Sequence, residues 1–403
     1  MEKGLEKPDK NPRGSTAPRL ALVIVFCTAI AALFVLLIAL PKHTGEISPL
    51  EFRALADYPF RSDGKVKSAN TIAKEVAEGK FSANTDKFLE DHFPARSFFI
   101  ALNSYTARLT GRNADQGIVM GRNGRMFDAP LQPDSERIKQ NVEKLDAFAN
   151  DNGLKAYYVF VPSAAVTCTD DLPAVHLDYP DDSLIEYARV LSDASVINAG
   201  SVFADSGRPG DMMYLTDHHW TMDGAYEVYS KLIRELGREP VPKSGFTEEQ
   251  YDFRGSFYRQ AGLWLAKPDV LRVWRTEALE NASVTVGVGA AATEHIGVYD
   301  AEKLKEGEVD RYAAYLYSNN AVTVIENPQA QEGCIMMVKD SFGNSIAPLL
   351  ACNYSRVIMV DTRYYMGVPV MPSELAAEYG AEALVAVFGA DSLNSDCQLV
   401  FMR

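Results

Sequence analysis

The stretch Cys334-Ile-Met-Met-Val-Lys-Asp-Ser-Phe-Gly-Asn-Ser345 begins with an apolar run and ends in small residues. The run from Cys334 to Val338 predicts a buried strand, and the residues after Ser341 predict the start of a helix. Predicted strands and helices alternate around this stretch: strands at Lys155 to Val161, Val196 to Asn198, Val357 to Val360 and Leu384 to Phe388, and helices at Ser135 to Asn150, Ser183 to Ser192, Gly224 to Leu236 and Ser373 to Tyr379. This alternation predicts an α/β domain whose parallel sheet is covered on both faces.

Two regions depart from the alternation. Residues 239–332 are rich in β-branched residues and turns and predict an insertion packed at one edge of the sheet. Residues 41–130 predict a linker followed by a helical region, with helices at Thr71 to Glu78 and Thr85 to Arg112. The α/β domain is therefore expected over residues 131–403.

An uncharged apolar run from Ala21 to Leu40 predicts a transmembrane helix, because twenty helical residues span roughly 30 Å. Basic residues precede the run at Lys3, Lys7, Lys10, Arg13 and Arg19. This bias predicts a single-pass protein of the cell membrane with residues 1–20 in the cytoplasm and the main domain outside. A buried core helix and a cleaved signal peptide are the alternatives.

The region after Leu40 carries 35 Lys and Arg against 51 Asp and Glu, a net charge of −16, without a basic cluster. This balance argues against a nucleic-acid partner. Four cysteines lie in that region without a CxxC pair, so a disulfide framework or a zinc site is not expected, although one bridge stays open: Cys168, Cys334, Cys352 and Cys397.

The segment from Tyr214 to Tyr226 places an acid and two imidazoles just before a predicted helix. Asp217 and His219 are two residues apart, so in an extended segment both side chains project to one side. A carboxylate there can orient an imidazole whose other nitrogen faces a nucleophile, while His218 points away. The alternative is that the Asp-x-His pair has a structural role only.

Ser341 is the candidate nucleophile, since it follows a strand and precedes a helix whose first N–H groups would stabilise an oxyanion. The alternative role for such a serine is a helix N-cap. Both candidate segments are expected at carboxyl ends of elements of the sheet, where open α/β folds bind ligands.

The chain resembles the bacterial DHHW proteins, named for the tetrad found here as Asp217-His218-His219-Trp220, which are similar to the SGNH-hydrolase-like alginate O-acetylation proteins. The likeness covers roughly residues 51–403. It includes Glu51-Phe-Arg-Ala-Leu-Ala56, Asp91-His-Phe-Pro-Ala-Arg96, Thr216 to Tyr226, Phe253-Arg-Gly-Ser-Phe-Tyr258, Lys339 to Ser345 and Asp361-Thr-Arg-Tyr-Tyr365.

The resemblance implies a three-layer SGNH-hydrolase-like domain outside the membrane, in which Asp217 is the orienting acid, His219 the base and Ser341 the nucleophile. It also implies an acyl donor delivered by a multi-span membrane acyltransferase, with no soluble cofactor. Two departures predict altered substrate handling. Ser341 lies in Lys-Asp-Ser-Phe rather than Gly-Asp-Ser, and residues 161–165 lack the lysine expected in such relatives.

The expected function is that of an O-acyltransferase or acylesterase acting on cell-surface polysaccharide or peptidoglycan. Arg363 and Tyr365 follow a predicted strand and are expected either to bind the glycan or acyl group or to brace their loop. Two other classes stay open: a non-catalytic glycan-binding or envelope-assembly protein, and a metal site built from Asp217, His218 and His219 with Asp223 or His295.

Overall fold

The computed structural model describes residues 16–46, 48, 54–62, 64–112, 114–115, 117–308 and 310–402. Lys3, Lys7, Lys10, Arg13 and the segment 51–53 of the resemblance lie outside the described residues. The chain divides into two compact units, Met1–Leu102 and Asn103–Arg403.

The first unit is helical. Its elements are α1 (Thr16–Ala39), the short pair β1 (Arg61–Ser62) and β2 (Lys65–Val66), α2 (Ala69–Ala77), α3 (Lys80–Asp91) and the start of α4 (Arg96–Leu109), which crosses the unit boundary. Within α1, Pro18–Ala39 is long and apolar enough to cross a membrane, with a mean hydropathy of 3.1. Length and composition support a span there, and a signal sequence would meet the same criteria.

The prediction of one helix from Thr85 to Arg112 is wrong, because α3 and α4 are separate helices. Pro94 lies between them, and proline has no backbone N–H to continue a helix. Ala95 adopts a φ of 56°, in the left-handed region, so the chain changes direction before α4 begins.

The second unit begins with elements that precede the main sheet. A three-stranded antiparallel sheet that the sequence did not predict is formed by β3 (Ala114–Asp115), β4 (Ile118–Met120) and β5 (Met126–Asp128). The elements up to the middle of the chain are α5 (Ser135–Asp151), β6 (Lys155–Val161), α6 (Ala164–Thr167), α7 (Asp181–Leu191), β7 (Ser195–Asn198), α8 (Ala199–Asp205) and α9 (Met222–Glu235).

The remaining elements include the predicted insertion. They are β8 (Thr247–Phe253), α10 (Ser256–Ala261), β9 (Asp269–Arg275), α11 (Glu277–Glu280), β10 (Ser283–Val286), β11 (Thr293–Ile296), β12 (Val322–Glu326), β13 (Cys334–Lys339), α12 (Gly343–Ala351), β14 (Arg356–Val360), α13 (Pro372–Tyr379), β15 (Ala383–Gly389) and α14 (Ala390–Leu393). Short 3₁₀ helices connect several of them.

The central sheet has eight strands in the order β11-β10-β12-β14-β13-β15-β6-β7. Five neighbouring strands, from β14 to β7, are parallel. The three strands of the insertion extend the sheet beside β14 in antiparallel fashion. The expected parallel sheet is therefore confirmed for the part that carries the crossover helices.

Helices cover both faces of the sheet and make the domain three layers deep. On β13, Ile335 and Met337 pack into a core with α6, α8, α9 and α12. Cys334, Met336 and Val338 point to the other face, where α5, α7, α13 and α14 pack. Both faces of the strand are buried, which explains why its sequence is continuously apolar rather than alternating.

The cysteines form no disulfide: Cys27, Cys168, Cys334, Cys352 and Cys397 are all free. The bridge that the sequence left open is absent, since all five residues lie within the described part of the chain.

Candidate active site

The loop before α9 holds the acid and the imidazole of the predicted site. A bridge between Met213 and Trp220 and a hydrogen bond from the Tyr214 N–H to the His219 carbonyl (3.1 Å) close the loop at its base. The loop is therefore bent, and the expectation of an extended segment is wrong. The loop also does not follow a strand of the central sheet: the short 3₁₀ helix Pro209–Asp211 precedes it, and α9, capped by Thr221, follows it.

Asp217 brings His219 into position through this bend. Its Oδ1 accepts hydrogen bonds from the backbone N–H of His219 at 3.0 Å and lies 2.5 Å from the Nδ1 of the same residue. Its Oδ2 accepts from the Ser256 N–H at 2.6 Å. Both oxygens are thus used, so the carboxylate fixes the position of the ring.

Gly255 allows α10 to approach this carboxylate. A Cβ at this position would come within 2.2 Å of the Asp217 Cβ and 2.4 Å of the Thr216 carbonyl oxygen. Only glycine permits that approach. The segment from Phe253 to Tyr258 was part of the resemblance, and this contact gives it a physical role.

Ser341 lies in the turn between β13 and α12, and its Oγ is 2.7 Å from His219 Nε2. The two side chains that sequence reasoning paired are thus brought together from positions 122 residues apart. Ser341 does not cap α12, because the N-cap residue is Phe342 and no side chain caps this helix. The N-cap alternative is therefore not what the structure has.

Asp340 holds the turn that presents Ser341. It is buried, its Oδ1 accepts from the Phe342 N–H at 2.9 Å, and its Oδ2 accepts from the Gly389 N–H at 2.7 Å. The first contact ties the turn to itself and the second ties it to the end of the adjacent strand β15. Ser341 is consequently displayed from a fixed backbone.

The expectation that the first N–H groups of α12 face an oxyanion is wrong. The Phe342 N–H donates to Asp340 Oδ1, the Gly343 N–H to the Asp340 carbonyl and the Asn344 N–H to the Ser341 carbonyl. The Ser341 N–H has no acceptor among the described residues. The backbone donor left at this turn is therefore that of the serine itself.

Aromatic side chains surround the imidazole. The Tyr312 ring stacks on His219 with centroids 3.9 Å apart and an angle of 15°, and Phe342 lies edge-on at 5.1 Å. The Tyr312 hydroxyl lies 3.2 Å from both the Ser341 carbonyl oxygen and Ser345 Oγ. Trp220 Nε1 donates to Ser345 Oγ at 2.7 Å, so the fourth residue of the tetrad supports the serine turn.

The electrostatics favour a negative Asp217 and a neutral His219. Burial alone would raise the pKa of Asp217, but the adjacent His218 and His219, with the hydrogen bonds from His219 and the Ser256 N–H, lower it well below its usual range. Burial and the charge of His218 lower the pKa of His219 to about 4, against the opposing effect of Asp217. At neutral pH the His219 ring can therefore accept a proton.

His218 was expected to point away, and the structure corrects this. Its ring lies 3.9 Å from the His219 ring and its Nδ1 is 3.0 Å from Ser256 Oγ. Tyr312 and the serine turn already contact the His219 ring, and His218 packs against a further side of it.

Three of the residues named for the alternative metal site lie close together. One ligand atom each from Asp217, His218 and His219 lies within 4.8 Å of the others. The expected fourth ligands are engaged elsewhere, since Asp223 pairs with Lys243 and Arg272, and His295 stacks on Tyr317.

Residues 200–360, which include the tetrad, Tyr312 and Ser341, match the family model described as DHHW protein. The match agrees with the resemblance to the DHHW proteins that the tetrad indicated. A sequence search of curated proteins finds no match.

Solved structures similar to this chain share its fold. A DHHW family protein from Eubacterium siraeum matches with a TM-score of 0.58 at 15% identity, covering 72% of this chain and 95% of that chain. Bacillus cereus PatB1 matches with a TM-score of 0.59 at 22% identity, covering 70% and 98%, and a structure of PatB1 with a sulfonyl adduct matches equally well at 21% identity, covering 71% and 98%. The architecture is therefore the SGNH-hydrolase-like α/β fold, as the resemblance implied.

The two further residues predicted near the site, Arg363 and Tyr365, make contacts within the loop after β14. Arg363 makes two contacts with Asp361, from Nε at 2.8 Å and Nη2 at 2.7 Å. Tyr365 is buried in the core on the α5 and α13 face, and its hydroxyl donates to the Val370 carbonyl at 2.9 Å. Both residues therefore brace the loop after β14, and their binding of a substrate stays a prediction.

Sequence reasoning missed Tyr312, Asp340 and Ser256. Tyr312 lies in a short 3₁₀ helix of the predicted insertion, far along the chain from both partners, and no local pattern marks it. Asp340 and Ser256 stood inside segments of the resemblance, so adjacency to the quoted motifs was the available signal.

Proposed function

We propose that the protein is a serine-dependent O-acyltransferase or acylesterase that acts on cell-surface glycan. The observation that supports this most strongly is the continuous series from Asp217 to His219 to Ser341, with contacts of 2.5 and 2.7 Å. A neutral imidazole between a carboxylate and a hydroxyl is the arrangement that activates a serine in acyl transfer.

The reaction has two steps, acylation of Ser341 and its deacylation, and His219 accepts and returns a proton in each. His219 Nε2 takes the Ser341 hydroxyl proton as Oγ attacks the carbonyl carbon of an acyl donor, and the Ser341 N–H faces the developing oxyanion. The bond to the donor oxygen breaks, and His219 returns the proton to the leaving group. A glycan hydroxyl or water then gives its proton to His219, attacks the acyl-serine, and releases Ser341 with its proton restored.

The location proposed for this chemistry is the outer face of the cell membrane. The apolar α1 supports a single membrane anchor, and the basic residues before it support a cytoplasmic N-terminus. The glycan would be polysaccharide or peptidoglycan, and the acyl donor would come from a multi-span membrane acyltransferase. The Asp217, His219 and Ser341 roles need no soluble cofactor in this scheme.

The test uses the full chain in detergent. Wild type should react with a fluorophosphonate probe and release acetate from 4-nitrophenyl acetate, and Ser341→Ala should lose both while keeping the same melting temperature. Ser395→Ala is the matched control, because this serine is exposed and its Oγ donates only to the Ser392 carbonyl. Equal labelling of wild type and Ser341→Ala would refute the proposal and leave the glycan-binding alternative.

A further inference from the structure

A cavity of about 250 Å³ opens beside the serine turn. His218 and Phe342 form one of its walls, and these residues are the chain neighbours of His219 and Ser341. The His218 ring is 3.9 Å from the His219 ring, and the Phe342 ring is 5.1 Å from it. A molecule in this cavity would therefore lie next to the Asp217, His219 and Ser341 series.

The lining of the cavity is acidic. Asp128, Asp181 and Asp391 all face it, and among the described residues that line it there is no Lys or Arg. These acids come from the end of β5, the start of α7 and α14, which are far apart in the chain. With His218 as the one basic residue of the lining, the cavity is rich in hydrogen-bond acceptors and poor in cations.

The innermost acid has an unused acceptor. Asp181 is 1% exposed, and its Oδ1 accepts from the Ser163 N–H at 2.7 Å. Its Oδ2 meets no donor with good hydrogen-bond geometry, and the Ser163 hydroxyl beside it only partly offsets the effect of burial, which raises the pKa of Asp181. A buried carboxylate oxygen without a donor is costly, so a donor group bound in the cavity would stabilise it.

Asp128 shows the same lack of compensation. Burial raises the pKa of Asp128 to about 7, helped by the charges of Asp391, Asp217 and Asp181 and opposed by His218. Burial likewise raises the pKa of Asp181. Positive or hydrogen-donating groups placed in the cavity would relieve both.

We propose that this cavity is the acceptor subsite, and that it holds a sugar unit without negative charge through hydroxyl or ammonium groups that donate hydrogen bonds to Asp128, Asp181 and Asp391. This inference rests on the proposed acyl transfer, because it assigns the acceptor that the acyl-Ser341 would meet. Neutral sugars and amino sugars both meet this requirement, because each carries several hydrogen-bond donors and no negative charge. Uronate units are excluded, because their carboxylates would face three others without a cation between them.

The experiment compares three acceptors that differ in one substituent. The full chain in detergent is assayed with β-1,4-linked hexamers of glucose, glucosamine and glucuronic acid, with 4-nitrophenyl acetate as the acetyl donor. We expect KM for the glucose and glucosamine hexamers to be at least about tenfold below that for the glucuronic acid hexamer, because like charges oppose binding. Equal or tighter use of the glucuronic acid hexamer would overturn the proposal.

Variants connect this preference to the cavity. Asp391→Asn and Asp128→Asn should each raise KM for the preferred hexamers and bring the ratio between acceptors closer to one. Asp205→Asn, an exposed acid at the end of α8, is the matched control and should leave the ratio unchanged. An unchanged ratio in both cavity variants would also overturn the proposal.

The salt dependence of binding identifies which sugar group donates. A preference for the glucosamine hexamer that weakens with salt identifies the ammonium, and an affinity for the glucose hexamer that does not change with salt identifies the hydroxyls.

Failure of the proposed catalysis is separable from failure of the subsite. Acetate release into water is measured first, without glycan, and its dependence on Ser341 tests the chemistry alone. Binding of the same hexamers to Ser341→Ala by titration calorimetry tests the cavity without turnover. Binding with the expected order but without Ser341-dependent release would retain the subsite and reject the enzyme.

Discussion

Two aspartates in the domain each hold a basic side chain two residues further along the chain. Asp217 contacts the ring and the backbone N–H of His219, and Asp361 contacts the guanidinium and the backbone N–H of Arg363. Both aspartates are buried, and the same local turn is used in each loop. The two loops differ in what the basic group has left to offer.

The imidazole has a second nitrogen, and it lies 2.7 Å from Ser341 Oγ. The guanidinium uses two nitrogens on one carboxylate and stays protonated at any accessible pH, since Asp361 raises the pKa of Arg363 despite burial. Lys339, also buried, adds a third contact to Asp361 at 3.3 Å. An Asp-x-base motif thus prepares a proton acceptor only where the base can release its proton and faces a hydroxyl.

The largest expected contrast comes from neutralising each aspartate. Asp217→Asn should lower kcat on the acetyl ester on the order of 10³-fold, because the amide no longer fixes the tautomer and position of His219. Asp361→Asn should leave kcat of the folded protein within a few-fold. It should instead reduce the free energy of unfolding by about 3 kcal/mol, because buried Lys339 and half-buried Arg363 lose their counter-charge.

Initial rates and denaturant unfolding of both variants, measured at one temperature where each is folded, separate the two roles. Similar losses of kcat in both variants would mean that the Arg363 loop takes part in the reaction, and the contrast between the loops would then be wrong.

The sheet was predictable because its parallel strands are buried on both faces and leave unbroken apolar runs. The bounds of β6, Lys155–Val161, are those predicted. The insertion was predicted at one edge of the sheet, but its antiparallel pairing was not, since β10 and β11 have four residues each and β12 pairs with β10 across the long connection 287–321. The break between α3 and α4 was readable in Pro94, a residue that cannot continue the hydrogen-bond pattern of a helix interior.

The site was predictable to the extent that its residues stand in short motifs. Asp217, His219 and Ser341 could be chosen from local pattern and resemblance, but the 2.7 Å contact depends on the folded chain. Tyr312 and the acids of the cavity come from segments with no pattern of their own, so only the tertiary structure places them. The choice of Arg363 and Tyr365 followed the rule that strand ends gather ligands, which ignores whether a side chain already has partners.

A smaller effect is expected in the pH dependence of the His219 loop. His219 must be neutral to accept the serine proton, and burial lowers its pKa from 6.5 to about 4. Hydrolysis of the acetyl ester should therefore be independent of pH above 6.5 and fall about tenfold per unit only below pH 4. The stability that neutral His219 contributes is present above pH 6.5 and is lost as the pH falls through about 4.

His218→Gln sharpens this measurement. The charge of His218 lowers the pKa of His219, so its removal should move the acid limb to higher pH. A limb near pH 6.5 in the wild type would contradict the burial effect, and no shift in the variant would contradict the coupling of the two rings.

The smallest changes in kcat and stability are expected from two buried tyrosines: Tyr312, which packs on the His219 loop, and Tyr365, in the Arg363 loop. Tyr312→Phe removes a hydroxyl that lies 3.2 Å from the Ser341 carbonyl oxygen, so the serine turn should loosen and kcat should fall about fivefold, the equivalent of one hydrogen bond near 1 kcal/mol. Tyr365→Phe removes a hydrogen bond to Val370 and should cost about 1 kcal/mol of stability without changing kcat. Both variants keep the ring, so packing is matched and the hydroxyl alone is tested. A loss of kcat in Tyr365→Phe equal to that in Tyr312→Phe would show that the loop after β14 transmits to the serine, which the separate hydrogen bonds of the two loops argue against.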